Sequence, residues 1–244
     1  MALKTRPVVA AVVASSLVAS AALADEPTPK VTPDAARPHT MAVLEAGIIA
    51  LPNAPISSSQ RGGATPFGTI GRGDATVQTG IRLLYRGGTD WAIGAGALFG
   101  PNPTSDPEYG GLKGLRRTHS RSYLSLGTEG RYVPLRYSTL EGWVGVTAGF
   151  VIIADRFSTA AGPDVPPVLG VKETTIRTEG FSVGVQAGGS WFFAEHWSAG
   201  LAARANRWVL PTDPPCAPIG DCGTLKGTVE AFEVGLTLGY RIPL

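Results

Sequence analysis

The last seventeen residues, Thr228 to Leu244, constrain the fold more than any other stretch of this chain. Every second residue from Phe232 is apolar: Phe232, Val234, Leu236, Leu238, Tyr240, Ile242 and Leu244. The intervening row, Val229, Ala231, Glu233, Gly235, Thr237, Gly239, Arg241 and Pro243, is small or polar and carries both charges of the stretch from Phe232 onward. A period of two predicts a β-strand with two chemically distinct faces. Its length is that of a tilted membrane-crossing strand, which needs about 9 to 11 residues plus its ends, rather than the 5 to 6 usual in soluble proteins.

The same alternation recurs seven more times upstream. Candidate strands are Met41 to Leu51, Ala75 to Gly87, one opening at Trp91, Thr118 to Tyr132, one around Val144 to Ile152, one around Phe181 to Trp191, and one from Trp197. Connections after the first (52–74), third (101–117), fifth (155–174) and seventh (210–226) are long and rich in Gly and Pro; those after the second, fourth and sixth are short. Strict alternation of long and short links predicts an all-β, up-and-down antiparallel barrel of eight strands. The 32 Gly show no triplet repeat, and a 43% hydrophobic content is too high for a solvated coil. Small side chains instead suit a crowded lumen.

The N-terminus reads as an address. Lys4 and Arg6 precede an apolar run from Val8 to Ala22, and Ala22-Leu23-Ala24 fits a signal-peptidase site. Residues 1–24 are thus expected to be a signal peptide, residues 25–40 a flexible Pro-rich periplasmic leader, and residues 41–244 the barrel. Losing Lys4 and Arg6 leaves 19 basic residues against 19 acidic ones. A near-neutral protein suggests no nucleic-acid partner. Export also places Cys216 and Cys222 in an oxidising compartment, where their spacing favours a small disulfide over a metal site.

Distribution of charge decides which face meets which solvent. Arg82, Arg121 and Arg204, with Glu45, Glu129 and Glu233, all fall on the Gly- and Ser-rich face. An Arg near a bilayer midplane costs about 2 to 4 kcal/mol. Turned inward, the six can pair in a lumen that eight strands leave only wide enough for side chains, so no wide pore is expected. Tyr85, Trp91, Tyr132, Trp143, Trp191, Trp197 and Tyr240 lie near the short turns or the C-terminus, where a girdle would sit, although Trp143 has the parity of the charged face. Phe99, Phe157 and Trp208 lie near the long connections.

In this pattern, and in its C-terminal strand, the chain resembles small bacterial outer-membrane barrels of the OmpA, OmpX and OmpW kind. The resemblance implies that Tyr240, Ile242 and Leu244 form a signal read by the barrel-assembly machinery, with Leu244 where that family usually has Phe. It also implies short turns in the periplasm, long loops outside, and outer-membrane lipid and lipopolysaccharide as surroundings. Lys113, Arg116 and Arg117, at the predicted outer rim above Arg121, would find natural counter-ions in lipopolysaccharide phosphates.

A catalytic reading finds little support. His39 lies in the leader, His196 at a short turn, and His119 at the outer rim. A lipid A deacylase would need Ser two residues after His119, and Arg121 stands there. Gly71-Arg72-Gly73-Asp74 does not open a helix after a strand, so it reads as a turn rather than a phosphate loop. The expectation is a non-enzymatic envelope or surface-interaction protein without cofactor or metal. The alternatives are a narrow channel for small or apolar solutes and, behind it, a lipid A-modifying enzyme.

Overall fold

In the computed structural model, residues 38–52, 74–88, 90–106, 117–159, 173–217 and 222–242 are described. They form β1 (His39–Leu51), β2 (Asp74–Arg86), β3 (Trp91–Asp106), β4 (Arg117–Arg136), β5 (Leu140–Thr159), β6 (Glu173–Phe192), β7 (Trp197–Val209) and β8 (Thr228–Ile242). Each strand pairs antiparallel with its sequence neighbour. The ring closes through β1 and β8, with Leu44 opposite Leu238 and Gly47 opposite Gly235. Closure leaves no sheet edge, so every strand's backbone groups meet a neighbouring ladder.

Alternation along each strand places one row outside and one inside. Outward side chains are apolar through the middle of the wall: Leu236 is 69% exposed and Val77 and Val146 are 62% exposed. Inward side chains include charges, such as Glu45 at 4% and Glu233 at 2%. Glycine makes the room inside. A Cβ on Gly96 would stand 2.6 Å from the Arg82 Cγ, and one on Gly235 would stand 2.9 Å from the Glu45 Oε1.

The strands run further than the apolar pattern predicts. β1 begins at His39, inside the segment expected to be leader, and β3 continues to Asp106 where a connection is expected from residue 101. β5 and β6 stay paired past the expected connection start at 155, with Asp155 opposite Ile176 and Ser158 opposite Glu173. The physical reason lies in a change of polarity. Arg156, Arg177 and Glu179 point out there, whereas Phe157 and Ile176 are buried inside. Above the apolar band the wall faces water and reverts to the soluble pattern of polar outside and apolar inside. At the opposite end Pro134, which cannot donate to a ladder, coincides with a register shift between Tyr132 and Leu135.

Candidate functional site: the filled lumen and the apolar wall

The lumen is packed in layers. At the short-turn end, Arg86 donates from Nη1 to both Glu141 carboxylate oxygens at 3.0 and 2.8 Å, and Arg136 reaches Asp90 at 3.2 Å. Above them the Arg131 guanidinium lies 3.9 Å from the centre of the Trp143 ring. Trp143 packs there with Val133 and Ala202. Its inward parity thus makes it a lumen residue and not part of a girdle.

The middle layer joins five of the six charges expected to line the lumen. Arg82 bridges Glu45 at 3.2 Å and Glu129 at 3.3 Å. Arg204 donates to both oxygens of Glu45, through Nη2 to Oε2 at 2.7 Å, and lies 3.5 Å from Glu233. Arg131 adds a third cation, 3.1 Å from Glu129. Three guanidinium groups therefore meet three carboxylates, all nearly or fully buried. Amides complete the network: Gln186 donates to Glu129 at 2.7 Å and Asn206 to Glu233 at 2.8 Å, while Thr147 donates to Asn206 at 2.8 Å. Balanced charge with saturated acceptors is what allows ions to sit away from water.

Arg121 stands apart from this network. It pairs with Asp155 at 3.1 Å and donates to the Thr224 hydroxyl at 2.8 Å, toward the long-connection end. Between the two polar layers lies an apolar cluster of Ile49, Leu51, Tyr123, Val151, Ile153, Trp208, Leu210, Leu225, Val229 and Ala231. The Arg121 side chain is on the far side of that cluster from Glu45, Glu129 and Glu233, so the pairing expected with them is replaced by Asp155. Arg131 and Asn206 were readable from parity alone, since each shares the face of a charged lumen residue on its strand, and Gln186 shares its face with the Gly and Ser of β6. What the alternation could not show is which pairs meet across the lumen.

Space inside is small. One cavity of about 40 Å³ lies among Arg86, Arg131, Glu141 and Trp143, and another of about 30 Å³ among Arg82, Ser125, Thr147 and Arg204. Each suits one to a few waters. Cys216 and Cys222 are disulfide-bonded in the connection between β7 and β8. Among the described residues no group of three or more His, Cys, Asp or Glu could hold a metal ion.

Outside, Tyr85, Trp91, Tyr132, Trp191, Trp197 and Tyr240 are exposed and ring the short-turn end. Trp197 and Tyr240 pack with ring centres 4.9 Å apart, and Tyr85 meets Trp91 edge-on at 6.4 Å. Phe99 is exposed at the other end, but Phe157 and Trp208 are fully buried inside. They fill the lumen rather than forming a second girdle, because their parity is inward. Arg207 and Glu230 pair outside the wall at 3.6 Å. Tyr240 and Glu230 are ten positions apart on β8, so the band between them is about 25 Å tall at a strand tilt near 40°.

The eight strands thus close a ring that is apolar outside and ionic within. The fold is that of small outer-membrane β-barrels. Neisserial surface protein A (NspA) matches it with a TM-score of 0.50 at 14% identity, over 83% of this chain and 96% of that one. Ail, the attachment invasion locus protein of Yersinia pestis, matches with a TM-score of 0.44 at 10% identity, over 85% of this chain and 99% of that one. The Escherichia coli outer membrane protease OmpT matches with 0.38 at 10%, over 84% and 96%. No family model and no curated protein matches the sequence.

Four expected features fall outside the described side chains. They are Leu244 of the C-terminal signal, Lys113 and Arg116 of the basic rim, the side chains of Arg117 and His119, and the signal peptide with the leader up to residue 37. His196 is half-exposed at a short turn. His39 is buried at the start of β1.

Proposed function

We propose that the protein is a non-enzymatic integral protein of the bacterial outer membrane, with an envelope or surface-interaction role carried by its long connections. The observation that carries this reading is the pairing of an apolar exterior band with a lumen filled by mutually neutralised ions. Exposing that band to water would be costly at roughly 25 cal/mol per Å², whereas lipid satisfies it. Short turns and the C-terminal strand end then lie in the periplasm, and the long connections lie outside among lipopolysaccharide. Tyr240, Ile242 and Leu244 act as the assembly signal in this reading.

A filled lumen favours this over a channel. Passage of a solute past the middle layer would require separating Arg204 and Arg82 from Glu45. Three measurements test the reading. Folded protein in detergent should migrate differently before and after boiling on SDS gels, and it should stay with membranes in carbonate. Proteoliposomes should show no swelling with small sugars or amino acids; swelling at the rate of a porin would replace the envelope reading with the channel one.

A further inference from the structure

The segment joining β7 to β8 does more than link two adjacent strands. Its Thr224 and Leu225 are fully buried. Leu225 joins an apolar cluster to which β1, β4, β5, β7 and β8 all contribute, through Ile49 and Leu51, Tyr123, Val151 and Ile153, Trp208, and Val229. Thr224 donates from its backbone N–H to Asp155 Oδ2 at 2.8 Å and from its hydroxyl to Oδ1 at 2.5 Å. Arg121 donates to the same hydroxyl. Asp155 and Arg121 belong to β5 and β4, so these contacts reach across the mouth to strands that do not neighbour β7 or β8 in the ring.

The segment is braced to act as one piece. Leu210 N–H donates to Gly227 O at 2.8 Å, Gly227 N–H to Pro211 O at 3.1 Å, and Gly223 N–H to Pro215 O at 3.0 Å. Cys216 and Cys222 are disulfide-bonded at its far end. Gly227, at φ +64°, makes the turn back into β8, a conformation costly for any residue with a Cβ.

We propose that residues 210–217 and 222–227 form a stopper seated in the outer mouth of the lumen, latched by Arg121, Asp155 and Thr224 and standing on the apolar seat around Val151, Ile153 and Trp208. The disulfide stiffens the stopper but joins it to no other strand, so the latch and the Leu225 foot hold it in place. Release would uncover a blind apolar cup, because the ionic middle layer below it remains intact. The outward placement of this mouth rests on the membrane orientation proposed above; the stopper itself does not.

The test uses the refolded full barrel, with its heat-dependent gel shift as the check on folding. Trypsin cleavage after Lys226 is followed by the mass of the fragment from Gly227 to Leu244. Thr224→Val should raise that cleavage about tenfold or more, as expected for losing hydrogen bonds to charged groups, and Thr224→Ser should restore resistance. A second readout separates stopper release from local fraying. In a Cys216→Ser/Cys222→Ser background, Val151→Cys supplies a single thiol in the seat. Thr224→Val should speed its labelling by an impermeant maleimide to a similar extent. Should Thr224→Val lose the gel shift, Leu225→Ala serves in its place, since it removes the foot without touching a charge. Equal cleavage and equal labelling with and without the substitution would overturn the proposal, whatever the liposome measurements show.

Discussion

Arg204 of β7 and Glu45 of β1 meet across the lumen past β8, the strand that lies between theirs in the ring, with Nη2 to Oε2 at 2.7 Å. Neither side chain has access to solvent beyond about one hundredth of its surface. A contact between residues 159 positions apart thus braces the seam where the barrel closes.

Removing one partner should therefore be expensive. Glu45→Ala leaves Arg204 and Arg82 short of a carboxylate, and loss of one member of a buried pair typically costs about 3 to 5 kcal/mol. The expected outcome is a lower urea midpoint for loss of the folded gel band, with an unchanged slope. The double variant Glu45→Gln/Arg204→Met should lose less than the two single variants added together, because the layer then keeps equal numbers of cations and anions.

Glycine belt positions should not tolerate branched side chains. Gly96→Val would drive its branched side chain against Arg82, whose Cγ a Cβ already approaches to 2.6 Å. Overpacking of this kind costs about 1 to 3 kcal/mol, so refolding yield into vesicles should fall. Gly88→Val, at a turn where a Cβ meets nothing within 4 Å, should refold normally.

The outer wall gives the opposite pattern to a soluble protein. Leu236→Arg places a charge near the middle of the apolar band and should destabilise the barrel by about 2 to 4 kcal/mol in vesicles. The same substitution at Val209, near the margin marked by Arg207, should cost less than about 1 kcal/mol. Equal effects at the two positions would contradict the placement of the band.

If Tyr240, Ile242 and Leu244 form the proposed assembly signal, Leu244→Phe should quicken assembly in cells, judged by the rate at which the heat-modifiable form accumulates. It should leave refolding in pure detergent unchanged. An equal effect in both settings would mean that Leu244 acts through barrel stability rather than through recognition.

Much of this architecture was legible from period-two alternation. Phe232 to Ile242 alone showed a long two-faced strand, and the parity of Glu45, Arg82, Glu129, Arg204 and Glu233 placed them on the face that turned out to be the lumen. Parity also pointed Trp143 inward. Phe157 and Trp208 lie near long connections, yet their inward parity buries them in the lumen. β5 runs past the expected start of the connection at 155 and β6 begins before its expected end at 174, because an apolar-outside rule stops working once the wall leaves the apolar band, at Arg156 and Glu179.

Alternation is a local property: it follows from backbone geometry and the contrast between lipid and lumen, so the sequence by itself determined the strands, their number, their order and their faces. Which charges meet was decided only by closure of the ring, which brings β7 to β1 and sets the registers that carry Arg204 to Glu45 and Arg121 to Asp155. The burial of Leu225 and Thr224 is likewise tertiary. A Pro-rich connection shows no periodicity to read, and its seat is assembled from five strands that come together only when the barrel is closed.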